Sequence, residues 1–509
     1  MSRSWVSTCH WMFLPVLRYQ QNIKNVLYIF LFVFVFTVNY NWSTQEIAII
    51  SSTYFTNEKS GYPPNTMAVL FNSQKSLWPP RPFICITNNA TDVKASLARI
   101  RYAFEPIYIC RWAVYILTCP IVANPTSFAI TDTRFSSGTI TVQNKVPHRQ
   151  AVKKQMGVVA CFSPLFYNER WQLLIQTLEI YRQLGVDLQV FYVQSMLQEI
   201  HEFLQVYEKL NIARIETWNQ LRFDPERTYS LGYDPNAELE WRNQATAHTD
   251  CFLNYKQSAE FVIISDIDDI LFPKLGATYL EEFRRLSTTF PYSAGFSYSR
   301  YNTEIESSRS PSDFSFSSLI SSARIADEWE DGKYVVKPQH VETVWLHWPG
   351  LMQLGYRLYA VDEDVNIMVH MRNWSMVTMN ANDGRRSQRF FNMFKYQIND
   401  ILRPELIDTL DRNFRRFLRL YAQNEFNRLP HSIIYYPLIE SCYNRIFYGR
   451  SKHPASCPGP LRCEIPKVPG LKCAVAKREY QHVAMNGNVK LHFPIAPGEF
   501  GINSDGCAM

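Results

Sequence analysis

Two kinds of hydrophobic pattern divide the chain. Between residues 41 and 155, short β-type runs such as Ile47–Ile50 and Val114–Leu117 alternate with Pro, Asn and Ser turns, which predicts a stem and a small β-rich domain. From Met156 onwards, continuous apolar runs alternate with segments whose apolar positions recur every three or four residues. This alternation of strands and helices predicts an α/β domain built on a mainly parallel sheet with helices on both faces.

The strand signals after Met156 are separate and short. Helices are predicted between these strands, and Ser195 and Gln198 match a capping box that predicts the start of one of them. Strands are predicted at Gly157–Phe162, Leu188–Val193, Ala213–Trp218 and Phe261–Ile264.

Paired carboxylates follow the last of these strands, at Asp266 and Asp268. In an extended backbone, residues i and i+2 face the same side, so the two carboxylates point together beyond the strand. Two hard oxygen ligands at the carboxyl end of a buried strand suit a divalent cation that holds a diphosphate. A lone Asp-x-Asp among 46 acidic residues is a weak signal, so its place after the strand carries the argument.

An uncharged apolar segment, residues 26–40, precedes the folded body. Basic residues stand before it, and the first basic residue after it is Lys59. The positive-inside rule then predicts a cytosolic tail (residues 1–25), a transmembrane signal anchor, and a folded body on the lumenal side. A cleaved signal peptide is the alternative, but the bulky residues Asn39–Trp42 stand where small residues are expected. We therefore expect a single-pass type II membrane protein of the Golgi or ER.

Composition narrows the classes of partner. A net charge of +6 over 509 residues without a basic tract argues against nucleic-acid binding. Ten of the eleven cysteines follow the apolar segment, which predicts disulfides whose pairing and contribution the sequence leaves open. Sequons at Asn41, Asn89 and Asn373 predict N-glycosylation. The oligomeric state is not determined by these features.

The order and spacing of further residues resembles glycosyltransferase family 92, a nematode-expanded group first defined as a domain of unknown function. The resemblance covers about residues 155–420. Three positions depart from the family's usual pattern: Asp269 and Ile270 replace Glu-Phe, and Met371 replaces Tyr. The matching pieces are Val158–Phe166 with Glu169 and Trp171, Gln244 with Asp250 and Cys251, Ile264–Asp269 with Pro273, Gly332 and Lys333, Lys337 and Pro338, His347, and His370–Arg372.

The resemblance implies a fold and an activity. The fold is of the GT-A type, a Rossmann-like sheet in a catalytic domain at residues 156–420. Apart from the resemblance, the late cysteines predict that a cysteine-containing C-terminal tail (residues 421–509) packs on this domain. The activity is the transfer of galactose from UDP-galactose onto a glycan acceptor, such as an N-glycan or glycoconjugate, with formation of a β-1,4 linkage and inversion. The cofactor is Mn²⁺ or another divalent cation.

The resemblance also implies a metal site at Asp266, Asp268 and His347. We expect Asp268 to bind the cation directly. Asp266 is expected to reach the ribose or to meet the cation through water. His347, between two tryptophans, is the candidate third ligand, although a packed position in an acceptor-binding wall is an equal alternative.

Four further residues are implied at the donor site. Ser163 follows the first strand, where this fold usually approaches uridine. Lys333 is expected to contact the diphosphate, because its ammonium binds phosphate as a point charge. His370 and Arg372 suit a donor-binding role and a structural role equally.

The catalytic base and two rival functions stay open at this point. An inverting transfer needs a base that deprotonates the acceptor hydroxyl, and the sequence does not choose among Glu304, Glu306, Asp327, Glu328, Glu330, Asp362 and Asp364. A phosphohydrolase of the haloacid-dehalogenase type also has an Asp-x-Asp, but its core fold starts at that motif. An inactive, lumenal carbohydrate-binding relative is the alternative function.

Overall fold

Twenty-five strands form the framework of the residues that the structure describes. The structure is a computed structural model and describes residues 45–77, 82–132, 145–376, 393–448, 456–485 and 489–508. In chain order the strands are β1 (Gln45–Phe55), β2 (Thr66–Gln74), β3 (Phe83–Asn88), β4 (Val93–Leu97), β5 (Arg99–Tyr102), β6 (Trp112–Pro120), β7 (Ser127–Asp132), β8 (Arg149–Gln150), β9 (Met156–Phe162), β10 (Leu188–Val193), β11 (Ser195–Leu197), β12 (Ala213–Thr217) and β13 (Ala259–Ser265). They continue with β14 (Asp269–Leu271), β15 (Ser293–Ser307), β16 (Arg324–Val336), β17 (Val341–Val344), β18 (Pro349–Met352), β19 (Arg357–Val361), β20 (Met368–Met376), β21 (Phe394–Gln397), β22 (Cys473–Lys477), β23 (Tyr480–Met485), β24 (Val489–Pro494) and β25 (Glu499–Asn503).

Ten α-helices lie between the strands of this described part. Two π-helical turns, Leu418–Ala422 and Asn444–Tyr448, follow the eighth and the tenth helix. The helices are α1 (Trp171–Gln183), α2 (Gln198–Lys209), α3 (Pro225–Leu231), α4 (Gln244–Tyr255), α5 (Tyr279–Thr289), α6 (Phe316–Ser321), α7 (Ile398–Ile401), α8 (Pro404–Phe417), α9 (Gln423–Asn427) and α10 (Tyr435–Tyr443).

The largest sheet has ten strands, and the paired carboxylates follow β13 at the end of the sheet where the parallel strands have their carboxyl ends. Its order is β12-β10-β9-β13-β16-β15-β20-β14, with β19 beside β15 and β21 beside β16. The first four strands run parallel, whereas β16 runs antiparallel to β13, with Val336 opposite Val262. Because the carboxyl ends of parallel strands meet at the same edge, the loops after β9 and β13 lie side by side there.

The predicted fold class is wrong. The sequence predicts a mainly parallel, Rossmann-like sheet of the GT-A type, but the structure has a mixed sheet and four further sheets among the described residues. The described part of the chain contains more strand than helix, 38% against 29% of its residues. Strands and helices therefore do not alternate regularly along it. The physical reason is that hydrophobic periodicity reports the burial of a strand and not the direction of its partner. The long strands β15 and β16 pair antiparallel and make the sheet mixed.

Strand β9 is buried on both faces, which explains its continuous apolar sequence. Val158 and Phe162 pack into a core with α1, whereas Val159 and Cys161 pack into a second core with α4. Successive side chains of a strand point to opposite faces, so a strand with an apolar neighbour on each side carries no polar positions. This double burial fixes the position of the loop that follows at Ser163.

The C-terminal residues complete two sheets that begin elsewhere in the chain. β24 pairs in parallel with β1, with Val489 opposite Gln45, and β22 pairs antiparallel with β11, with Val475 opposite Ser195. The seven-stranded sheet has the order β23-β24-β1-β2-β6-β5, with β8 beside β1, and the small sheets are β11-β22-β25, β4-β3-β7 and β17-β18. The division into domains at residues 41–155, 156–420 and 421–509 stays a prediction.

The predicted membrane anchor, residues 26–40, lies outside the described residues, as does the predicted cytosolic tail, residues 1–25. A helix that crosses a bilayer needs about 20 mostly apolar residues. Within the described ranges, no helix is long and apolar enough to do so. The described residues therefore give no support to the prediction of a single-pass type II membrane protein of the Golgi or ER, and the prediction is withdrawn.

Five disulfides join the ten cysteines of the described residues, so the prediction of disulfides is confirmed. Their pairing, which the sequence left open, is decided by which strands and helices meet in the fold. Disulfides of this kind persist in oxidising compartments. The pairs are Cys85–Cys119, Cys110–Cys457, Cys161–Cys251, Cys442–Cys463 and Cys473–Cys507.

Replacing both cysteines of Cys110–Cys457 with serine should destabilise the protein more than the same change at Cys442–Cys463. The first bridge spans 347 residues and the second 21. In the chain-entropy description, the short loop contributes about 3 kcal/mol and the long loop about 2 kcal/mol more. Urea denaturation of the two double variants gives the comparison, with non-reducing peptide mapping to check the other bridges. An equal loss in both variants would contradict the prediction.

Candidate functional site

A cavity of about 560 Å³ opens at the carboxyl ends of β9 and β13. Its volume is in the range of sites that hold small ligands and cofactors. Of the seven residues predicted from the sequence, six line this cavity: Ser163, Asp266, Asp268, Lys333, His347 and His370. The seventh, Arg372, lies in β20, and its side chain is outside the described part of the structure.

Asp266 is held by charged and polar neighbours. Lys333 Nζ lies 2.9 Å from Asp266 Oδ2, and Gln244 Nε2 donates to Asp266 Oδ1 at 2.8 Å and to Ser163 Oγ at 2.6 Å. Burial disfavours the charged carboxylate, but the Lys333 ammonium outweighs it and lowers the pKa of Asp266 below its ordinary value. Lys333 is itself only 1% exposed. It is therefore the counterion of Asp266, and its contact with a diphosphate stays a prediction.

Asp268, Asp269 and His370 form a group of potential metal ligands. One ligand atom of each lies within 4.8 Å of the others, because β14 pairs with β20 and sets Asp269 opposite His370. His370 Nε2 is 3.7 Å from Asp268 Oδ2. Asp269 is fully buried, and both of its oxygens accept from Arg300 at 3.3 Å. Two carboxylates and an imidazole suit a cation such as Mn²⁺, and Asp268 and His370 are the two that line the cavity.

The charges of this group compensate one another. Burial disfavours a charged imidazole, yet Asp269 and the neighbouring carboxylates raise the pKa of His370 to about 9. Burial likewise disfavours the Asp268 carboxylate, but the contact with His370 holds the pKa of Asp268 below its usual range. A cation that binds His370 must displace its proton, since a ligating nitrogen is unprotonated. Protonated His370 thus supplies the positive charge that a bound cation would otherwise supply to Asp268 and Asp269.

His347 lies on a different wall of the cavity. Its Nδ1 is 2.9 Å from Gly332 O; because a carbonyl only accepts, Nδ1 carries the hydrogen and Nε2 keeps a free lone pair. Burial and the nearby Lys333 lower the pKa of His347 to about 3, so the ring is neutral. Such a ring has the form of a metal ligand, but it is not part of the group of Asp268 and His370. Its role as third ligand stays a prediction.

Arg300 is a cavity-lining residue that ties two strands together, and the sequence did not predict it. Its guanidinium lies 2.9 Å from Glu330 Oε2 as well as against Asp269, and Glu330 Oε2 is 3.4 Å from His370 Nδ1. No motif surrounds Arg300 in the long strand β15, and a charged side chain in an aromatic run was the available signal. Arg300 binds both carboxylate oxygens of Asp269. This explains why Asp268 lines the cavity and Asp269 does not.

Helix α10, in the C-terminal part of the chain, forms one wall of the cavity through Tyr436 and Glu440. Glu169, in the loop after β9, accepts hydrogen bonds from the backbone nitrogens of Ile434 at 2.7 Å and Tyr436 at 2.6 Å. A carboxylate at a helix start offsets the partial positive charge there, so this contact fixes the wall.

The structure narrows the candidates for the catalytic base. Among the seven carboxylates that the sequence left open, Glu328 and Glu330 line the cavity. Glu330 is engaged by Arg300, whereas Glu328 is exposed. Glu304 instead pairs with Arg324 at 3.0 Å.

Comparison with known proteins identifies one family. The profile named Glycosyltransferase family 92 matches residues 156–418, which include most of the residues that line the cavity. Glycosyltransferase family 92 protein F59C6.8 of Caenorhabditis elegans is 32% identical over 490 residues, 92% of this chain and 90% of that protein. Glycosyltransferase family 92 protein F13G3.3 of the same species is 28% identical over 78% of this chain and 77% of its own. The resemblance to this family is confirmed, and the chain belongs to glycosyltransferase family 92.

Proposed function

We propose that this family 92 glycosyltransferase moves galactose from UDP-galactose onto a glycan acceptor, with a β-1,4 linkage and inversion, and that a divalent cation such as Mn²⁺ assists. The observation that carries the proposal is the pair of Asp268 and His370, which face a cavity of about 560 Å³. Donor, linkage and acceptor class follow from the resemblance to the family.

Asp268 and His370 are the residues that would hold the cation, with Asp266 beside them. When bound, the cation offsets the negative charge that develops on the departing nucleoside diphosphate. Gln244 and Lys333 hold Asp266 in a fixed orientation, so that carboxylate is positioned before a ligand arrives. Such preorganisation lowers the barrier because no dipole has to turn during the reaction.

The Asp268→Asn variant should lose about a thousandfold or more of the galactosyl transfer rate. Asparagine keeps the size of the side chain but removes the charge that a hard cation requires, and several kcal/mol of transition-state stabilisation correspond to about three decades in rate. The measurement is turnover of a panel of UDP-sugars by the full-length protein with Mn²⁺, with and without excess EDTA. The melting temperature should change little, because His370 keeps Asp269 and Glu330 as charged partners.

Asp408→Asn serves as the matched control, since Asp408 is exposed and does not line the cavity; it should behave as wild type. Full activity of a folded Asp268→Asn protein, or of wild type in excess EDTA, would refute the metal site. Binding of UDP-galactose without turnover by the wild type would indicate the non-catalytic relative instead.

Asp266→Asn should weaken the fold as well as the activity. Removing this carboxylate leaves the buried ammonium of Lys333 without its counterion, which is costly. We expect a loss of about 2 kcal/mol in the free energy of unfolding, less than for a fully buried pair, because the Asp266 side chain is 24% exposed. The double variant Asp266→Asn with Lys333→Met should regain most of that loss. Denaturation curves of the single and double variants test this, and additive losses would contradict it.

A further inference from the structure

Two tryptophans stand at the mouth of the cavity, on the turn between β17 and β18. Trp345 lines the cavity, and Trp348 beside it keeps 48% of its surface exposed. Their ring centroids are 4.5 Å apart and their planes are inclined by 38°. An indole that stays half exposed does not gain the free energy of burying its apolar surface. Exposed aromatic area beside a polar cavity is therefore an informative feature.

Hydrogen bonds hold this turn in one conformation. Trp345 N donates to Trp348 O at 3.0 Å and closes the turn. The indole nitrogen of Trp345 donates to Glu240 Oε1 at 3.0 Å, and Tyr334 Oη donates to Trp345 O at 2.6 Å. The Trp345 ring is thus fixed before a ligand binds, and the Trp348 ring packs against it, so little side-chain entropy is lost on binding.

The turn lies on the far side of the paired carboxylates from the expected uridine position. In the sheet, β13 lies between β9 and β16. Ser163 follows β9, whereas the tryptophan turn is bonded to β16 through Tyr334 and through Lys333, which donates to Leu346 O at 3.3 Å. The turn is therefore placed to meet a molecule that enters opposite the nucleotide.

We propose that Trp345 and Trp348 form a platform on which a pyranose ring of the glycan acceptor stacks. This inference rests on the proposed function, because the acceptor belongs to the same transfer reaction. The faces of an indole carry negative charge density, and the C–H groups on one face of a pyranose are weakly positive and apolar. The hydroxyl groups at the edge of the sugar stay free to bond with polar residues of the cavity.

Trp348→Ala should raise the KM for the acceptor about tenfold, the range of one aromatic stacking contact, and the KM for UDP-galactose by less than twofold. The assay uses the full-length protein with Mn²⁺, UDP-galactose and a panel of methyl glycosides of galactose, glucose, mannose, N-acetylglucosamine and fucose. Methyl glycosides are chosen because they carry no aromatic group that could itself stack. Trp348→Phe keeps an aromatic face and should recover most of the acceptor affinity.

Trp329→Ala is the matched control, since Trp329 is a tryptophan with 67% exposure that does not line the cavity, whereas Trp348 packs on the lining residue Trp345. It should leave both KM values at the wild-type level. Normal acceptor KM in Trp348→Ala, or a rise in the KM for UDP-galactose instead, overturns the platform while the proposed function stands. Wild type that hydrolyses UDP-galactose but uses none of the glycosides also contradicts the platform. Absence of both transfer and hydrolysis in wild type defeats the proposed function, and the platform with it.

Discussion

The buried ion pair between Lys333 and Asp266 is the contact on which the cavity depends. It joins the end of β13 to β16, and Lys333 also holds the tryptophan turn through Leu346 O. On its other side Asp266 is bonded to Gln244, which reaches Ser163 in the loop after β9. A buried ammonium is tolerated because a carboxylate and a carbonyl compensate it. Three walls of the cavity therefore depend on the same ion pair. None of them can move away without leaving a buried charge uncompensated.

A second constraint comes from the ends of the chain. The C-terminal residues supply helix α10 to the cavity and strands β22 and β24 to two sheets. Glu169 anchors the start of α10, and the disulfide Cys110–Cys457 attaches this region covalently to the N-terminal part of the described chain, whereas Cys442–Cys463 closes a loop within the region. The cavity is thus built from segments far apart in sequence, and long-range cross-links limit how far its walls can separate in the unfolded chain.

The site was predictable where local sequence carries the chemistry. The paired carboxylates follow an apolar strand, and six of the seven predicted residues line one cavity. Their partners were not predictable, because partners depend on which strands become neighbours. Lys333 was expected at a diphosphate, which stays a prediction, and the sequence did not show that Asp266 is its counterion. His370, rather than His347, lies beside Asp268, since β20 pairs with β14 across about 100 residues of chain.

The sequence by itself determined where strands such as β9, β10 and β13 lie, because burial on both faces requires a continuous apolar run. It also determined the family, the carboxylate pair and the need for disulfides. The tertiary structure decided the mixed sheet, the disulfide pairing and the charge partners. Ser195 shows the difference: its spacing to Gln198 suits a capping box, but it pairs in β11 and accepts from Tyr167 N at 2.9 Å. A local pattern fixes what a residue can do, whereas only the packed neighbours fix which of those contacts lowers the free energy most.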